Sequence, residues 1–220
     1  MPYLQRRSVL NALAAALVLA SMVPGANVRA DATDQFGRNL VVNGDAEANV
    51  GAANNGQVVK PADWTTTGEF TAVQYGASGG FPDANSPGPK DRGKNDFEGG
   101  NVAKSTATQT ISLAQSAAAI GSGAVRFTFS AWLGGFEGQR DNATATVAFE
   151  DGNGAKLLSS TLGPVTPQER NNVTGLLLRE TSGTVPKTAV QAVVTIVLTR
   201  YDGIYNDGSA DNISLVLSKG

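Results

Sequence analysis

The feature that most constrains the fold of this chain is an alternation of apolar and polar side chains with a period of two. It is clearest in residues 124–132 and 143–149, where the apolar set is Val125, Phe127, Phe129, Ala131, Ala145, Val147 and Phe149. Successive side chains of a β-strand point to opposite faces, so each segment predicts a strand with one buried face. The turn sequence of residues 151–154 before residues 156–161 predicts a hairpin.

Further strands are predicted along the rest of the chain. The β-branched run 190–199 favours a central strand that is covered on both faces, and residues 212–217 favour a last strand with Ile213, Leu215 and Leu217 inward. Weaker strand candidates are 39–42, 70–75, 108–113 and 173–178, and residues 114–119 are the one helix-like piece. Many short strands with Gly-rich turns indicate an all-β sandwich or jelly roll.

Residues 76–104 interrupt this pattern. They contain seven glycines and three prolines and show no periodicity, so we expect one long loop there. A loop of that length inside a compact domain is usually functional or mobile.

The first thirty residues have the order of a secretory signal. Arg6 and Arg7 precede an apolar run, and small residues follow before residue 30. The paired arginines fit a twin-arginine signal only in part, so twin-arginine and ordinary Sec export both stay open. We expect cleavage near residue 30, a single β-sandwich domain over residues 31–220, a bacterial source, and a secreted or periplasmic protein.

Charge and composition exclude several classes of function. Removal of residues 1–30 takes away three of the 17 basic residues and none of the 19 acidic ones, which leaves 14 against 19, a net charge of −5. That balance argues against nucleic acid as a partner, and we expect no membrane anchor, since no second apolar span is visible. The chain has no cysteine and no histidine, which excludes disulfides, histidine-dependent catalytic pairs and the commonest zinc ligand.

The two ends of the predicted domain resemble the galactose-binding-like jelly roll, the fold of many carbohydrate-binding modules. Residues 39–47, Asn-Leu-Val-Val-Asn-Gly-Asp-Ala-Glu, are similar to the family's opening phrase, and 210–215, Ala-Asp-Asn-Ile-Ser-Leu, to its closing phrase. Trp64 follows the opening as in the family, and residues 109–111 and 127–134 resemble its paired central strands. The resemblance implies a jelly-roll β-sandwich of two antiparallel sheets, with Trp64 and Trp132 as packing residues.

The resemblance also implies a structural calcium ion that ties the first and last strands together. The positions that match its acidic ligands are Glu47 and Asp211, with Asp45 as a possible addition. Calcium takes several oxygen ligands and needs no histidine. The alternative is that Asp45 and Asp211 only close turns at strand ends, as we also expect of Asp141.

Aromatic residues in polar loops are the candidates for ligand binding, because sugar sites combine an aromatic face with fixed polar groups. The candidates are Tyr205, Asn206, Asp207, Phe136, Arg140 and Tyr75. The leading hypothesis is an exported, non-catalytic module that binds a glycan or cell-surface polymer. The alternatives are a structural or adhesive exoprotein that binds another protein, and a glycosidase or lyase that uses carboxylates such as Glu137 or Asp207.

Overall fold

The computed structural model of the chain describes residues 35–220, so the predicted signal segment lies outside the described residues. The strands of this part are β1 (Ala52–Asn54), β2 (Thr65–Thr67), β3 (Thr71–Ser78), β4 (Asn95–Glu98), β5 (Lys104–Ser112), β6 (Val125–Gly135), β7 (Asn142–Glu150), β8 (Lys156–Leu162), β9 (Gly175–Thr184), β10 (Gln191–Thr199) and β11 (Ser209–Lys219). A 3₁₀ turn (Ala114–Ser116) and helix α1 (Ala117–Ser122) join β5 to β6. No helix among the described residues is both long and apolar enough to cross a membrane.

The strands form two sheets that pack face to face. One sheet has six strands in the order β1-β3-β4-β11-β6-β9, and the other has five in the order β2-β5-β10-β7-β8. All pairs are antiparallel except β1 with β3. The predicted all-β sandwich is therefore confirmed, with one parallel pair at an edge of the larger sheet.

The core between the sheets is built by the alternation seen in the sequence. On β6 the buried residues are Val125, Phe127, Phe129, Ala131 and Leu133, and the rings of Phe127 and Phe149 meet with centroids 4.9 Å apart. Burying such a ring contributes about 1.5–3 kcal/mol, so the inward faces of β6 and β7 are a main source of stability. The hairpin of β7 and β8 is present as predicted.

The run at residues 190–199 forms the middle strand of its sheet, as expected, but only one of its faces is covered. Ala192, Val194, Ile196 and Leu198 are buried, whereas Val193 and Val197 between them are half-exposed. The prediction of two covered faces is wrong because a β-branched run fits an exposed sheet face as well as a buried one.

The opening segment lies beside the last strand but does not form the strand predicted at residues 39–42. The Asn39 side chain folds back on its own segment, since its Oδ1 accepts a hydrogen bond from Val41 N at 3.0 Å. The same oxygen accepts a second bond from Leu215 N of β11, also at 3.0 Å. This Asx turn replaces regular pairing. Gly44 then approaches β11 so closely that a Cβ there would lie 2.2 Å from the Ile213 carbonyl oxygen, which requires glycine at this position.

Candidate functional site

The face of the six-stranded sheet that points away from the core carries acidic and aromatic side chains at its centre. We call it the outer face. Phe97 of β4 and Ala210 of β11 belong to the core, so their neighbours along each strand lie on the opposite side. The outer face therefore receives Asp96 and Glu98 from β4 and Asp211 from β11.

Residues 79–94, here called the cover loop, extend over much of this face. Near their start the Phe81 ring packs edge-on against Tyr205, with centroids 5.3 Å apart. In their middle the Pro87 carbonyl accepts a hydrogen bond from Leu176 N of β9 at 2.8 Å. Since the loop leaves β3 at one side of the sheet and reaches β9 at the other, it shields the acidic side chains from water.

The three carboxyl groups beneath the cover loop are buried, and none of them belongs to an ion pair among the described residues. Asp96, Glu98 and Asp211 are each at most 1 % exposed, and neither oxygen of Asp96 accepts a hydrogen bond from the described residues. Burial raises the pKa of Asp96 and Glu98 well above the usual range, and their mutual charge adds to the effect in Glu98. Burial also raises the pKa of Asp211 to about 8.

Sequence reasoning missed Asp96 and Glu98, because they lie in the segment interpreted as one continuous loop. Residues 95–98 form β4, and all four are buried. The two acids that flank Phe97 are predicted to be exposed loop residues, since unpaired carboxylates are rarely buried. The alternation Asp96-Phe97-Glu98 with a core phenylalanine at its centre is the one signal that indicates a strand.

Tyr75 connects the acidic cluster with the cover loop. Its hydroxyl donates a hydrogen bond of 2.7 Å to Asp211 Oδ2, and the Arg92 guanidinium of the loop lies 5.2 Å from the centre of its ring. Burial, followed by the charges of Asp96 and Asp211, raises the pKa of Tyr75 far above its usual range. The phenol is therefore a permanent hydrogen-bond donor to Asp211.

The predicted calcium ligands lie in one region of the molecule. The charges of Asp45 and Glu47 add to the raised pKa of Asp211, which is an electrostatic sign of their proximity. Glu47 Oε1 accepts hydrogen bonds from Lys94 N at 2.6 Å and from Asn95 N at 2.8 Å. Within residues 35–220, however, no three acidic side chains form a group that could hold a metal, so calcium here would need main-chain carbonyls to complete its shell.

Three of the predicted ligand-binding residues follow one another after β10. Tyr205 and Asn206 are buried, and Asn206 donates a hydrogen bond to the Leu198 carbonyl at 3.0 Å. Because Tyr205 is buried, neither face of its ring is open to a ligand. Asp207 is half-buried, and burial together with the charge of Asp141 raises its pKa to about 7.

The loop after β6 holds two more of the predicted ligand-binding residues, Phe136 and Arg140. Phe136 is half-buried, and Glu137, the suggested catalytic acid, is exposed. Arg140 is exposed and forms an ion pair of 2.9 Å with Asp202. The prediction of a structural role for Asp141 is confirmed, because its buried carboxylate accepts hydrogen bonds from the backbone of Tyr201, Asp202 and Asp207.

The two tryptophans differ in their environment. Trp64 lies in the core and donates a hydrogen bond from Nε1 to the Asn43 carbonyl at 2.9 Å, as a packing residue should. The same prediction is wrong for Trp132, which is half-exposed on the outer face of β6. Trp132 lines a groove of about 380 Å³, which we call the Trp132 groove; its other polar lining residues are Asn39, Asn43, Asp45, Asp91, Ser130, Asn212 and Ser214.

The polar groups of this groove are partly held in place and partly open to a ligand. Asp91 Oδ1 accepts a hydrogen bond from Asn212 Nδ2 at 3.2 Å, and Asp45 Oδ1 accepts a long one from Glu47 N. The described residues provide no hydrogen-bond partner for the side-chain hydroxyls of Ser130 and Ser214. A half-exposed indole beside fixed carboxylates and open hydroxyls is a surface on which a sugar ring can stack and be oriented.

Comparison with known proteins gives likenesses of fold. No protein-family model matches the sequence, and no curated protein is significantly similar to it. Among solved structures, a family 16 carbohydrate-binding module shares 19 % identity and a TM-score of 0.48 over 81 % of this chain and 99 % of its own. A family 61 module in complex with β-1,4-galactotriose shares 14 % identity and a TM-score of 0.44 over 83 % of this chain and 99 % of its own.

A third similar structure belongs to a much longer protein. It is the enzymatically active domain of tailspike protein 4 of bacteriophage CBA120, with 16 % identity and a TM-score of 0.49 over 82 % of this chain. The present chain spans 21 % of that domain. At these identities and scores, the likeness concerns the arrangement of strands alone.

Proposed function

We propose that this chain is a non-catalytic carbohydrate-binding protein and that its glycan site is the Trp132 groove. The observation that carries the proposal is the position of Trp132, half-exposed on the outer face of the sheet among carboxylate, amide and hydroxyl groups. The Trp132 indole is partly exposed where it borders this groove, and pyranose rings stack on the faces of aromatic side chains.

Charge defines which sugars fit this groove. Asp45 and Asp91 are its ionisable lining residues, and no basic side chain lines it. Carboxylates accept hydrogen bonds from sugar hydroxyls and attract amino groups, whereas they repel carboxylates. The groove therefore favours neutral sugars or amino sugars over acidic ones.

The predicted calcium ion is part of this proposal. Its support is the backbone contact between the opening segment, which carries Asp45 and Glu47, and β11, which carries Asp211. An ion there would fix residues 43–45, which form one side of the Trp132 groove. Export, predicted from residues 1–30, would place the groove where cell-wall and matrix glycans occur.

A glycan array probed with the purified protein in calcium-containing buffer tests the proposal. We expect binding to a subset of neutral or amino-sugar glycans and none to uronic-acid glycans through this groove, and hits are to be confirmed with the Trp132→Ala variant. Absence of binding to any glycan, combined with capture of a specific surface protein, would favour the adhesive alternative instead.

A further inference from the structure

A second cleft lies where residues 47–50 and 90–95 meet the end of β3. It encloses about 800 Å³, and its lining includes Lys90, Arg92, Lys94, Tyr75 and Glu47. We call it the basic cleft. It shares no lining residue with the Trp132 groove, so the two are separate candidate sites.

The basic cleft is positively charged although the chain as a whole is not. Its lining carries three basic side chains and one acidic one, a local charge of +2, against −2 for the whole sequence. The ion pairs among residues 35–220 are Arg140–Asp202 and Arg179–Glu169, so none of the three cations is paired with a carboxylate there. The one acidic residue, Glu47, is held at the wall of the cleft, where its Oε1 accepts hydrogen bonds from two backbone N–H groups.

Arg92 is held in place at the cleft by three carbonyl groups of its own loop. Its Nε donates a hydrogen bond to the Pro89 carbonyl at 2.9 Å, one terminal nitrogen donates to Ser86 O at 2.9 Å, and the other donates to Asp83 O. These bonds use three of the five N–H groups of the guanidinium, which leaves two for a ligand. A donor that is already immobilised loses little entropy on binding an anion.

The rest of the lining suits a sugar ring that carries an anionic group better than it suits a small anion. The half-buried Tyr75 ring lies under Arg92, the amide of Gln74 is close by, and the apolar Val50 is 82 % exposed at the rim. An aromatic ring, an exposed apolar group and cations together match a pyranose that carries a carboxylate.

We propose that the basic cleft binds the uronic-acid units of an acidic polysaccharide. The three cations provide charge-assisted hydrogen bonds to carboxylates, and the exposed Val50 together with the accessible part of Tyr75 contacts the sugar. A nucleic acid is a poorer match, because long phosphate chains need an extended basic surface and the molecule around this cleft is acidic. The inference is independent of the glycan proposed for the Trp132 groove.

Calorimetric titration of the full-length protein with polygalacturonate oligomers tests this proposal. The matched ligand is the fully methyl-esterified oligomer, which keeps the sugar and loses the charge. The test variant is Lys90→Ala/Lys94→Ala, and the control variant is Lys104→Ala/Lys156→Ala, two exposed lysines on β5 and β8.

We expect the protein to bind the acidic oligomer more tightly than its ester, because the ester is a neutral glycan that has no charge to offer the basic cleft. Affinity for the acidic oligomer should fall about tenfold in the Lys90/Lys94 variant, since exposed ion pairs each contribute little. Affinity should also fall as NaCl rises from about 50 mM to about 500 mM. The Lys104/Lys156 control should bind the acidic oligomer like the wild type. The proposal would be overturned if the ester bound as tightly as the acidic oligomer, or if the two lysine variants bound equally well. It would also be overturned if dextran sulfate competed equally, or if the protein bound none of polygalacturonate, alginate and hyaluronan.

Discussion

Trp132 on β6 lies directly opposite Asp211 on β11 in the six-stranded sheet. Directly opposite residues of an antiparallel pair lie on the same face, so the indole of the Trp132 groove neighbours a buried acid. Asp211 in turn accepts the hydrogen bond of Tyr75 from β3. The proposed glycan site and the acidic cluster are thus parts of one outer face.

We predict that the folded state loses stability as pH rises from about 5 to about 9. The pKa values of Asp207 and Asp211 are raised to about 7 and about 8, whereas an unfolded aspartate titrates near pH 3.9. The folded chain therefore holds protons that the unfolded chain has lost, and this stabilisation is complete below about pH 4 and disappears as pH passes 8. Urea midpoints in the presence of a chelator should fall across this range; a constant or rising midpoint would contradict the placement of these acids.

The variant Asp96→Asn should be more stable than the wild type at pH 8 to 9. The Asp96 carboxyl accepts no hydrogen bond from the described residues, and burial raises its pKa. At this pH the folded chain must therefore hold a proton that the unfolded chain has lost or bury a charge, and asparagine avoids both costs. The melting temperature should rise by a few degrees at pH 8 to 9 and change less at pH 5. Glu180→Gln, an exposed acid on β9, is the control and should change little. Destabilisation by Asp96→Asn at pH 8 to 9 would show that Asp96 has a partner that requires its charge.

The variant Asn39→Ala should destabilise the fold by about 1–3 kcal/mol. Besides accepting two backbone hydrogen bonds, the Asn39 side chain donates one from Nδ2 to the Ile213 carbonyl at 3.0 Å, so it links the opening segment to β11. Chemical denaturation measures the loss. Asn54→Ala is the matched control, since Asn54 Oδ1 accepts only a local bond from Gly56 N and its loss should cost less. Equal effects of the two variants would mean that the opening segment adds little to stability.

Calcium should raise the melting temperature of the wild type but not that of Glu47→Gln. An ion that binds only the folded state stabilises it by about 2.7 kcal/mol at a hundred times its dissociation constant. Glu69→Gln is the control, because Glu69 also accepts a backbone hydrogen bond, from Asn101 N at 2.8 Å, but lies outside the predicted ligand set. The same shift in all three proteins, or no shift in the wild type, would argue against calcium at this position.

The strands were predictable wherever one face alone is buried. The alternation in β6, β7 and β11 reports such a face directly, and there the predicted and observed segments agree. The sequence was misleading where side chains break that rule. Asn39 satisfies backbone groups with its own side chain, and β4 buries two acids beside one phenylalanine.

The candidate site was harder to predict than the fold, because exposure depends on tertiary contacts. Tyr205 has the sequence surroundings of an exposed loop aromatic, yet Phe81 from a distant loop packs on it. Trp132 sits within a strand pattern that suggests packing, yet its position on β6 directs it away from the core. Nothing local in the sequence indicates that residues 79–94 extend across the sheet.

The most direct test is calorimetric titration of the best array glycan into the wild type, Trp132→Ala and Tyr201→Ala. Tyr201 is an aromatic residue that is 58 % exposed outside the Trp132 groove, so its variant controls for the loss of any surface ring. We predict that Trp132→Ala weakens binding at least about tenfold, the equivalent of about 1.4 kcal/mol, while Tyr201→Ala binds like the wild type. Wild-type affinity in Trp132→Ala would contradict the assignment of the Trp132 groove as the glycan site.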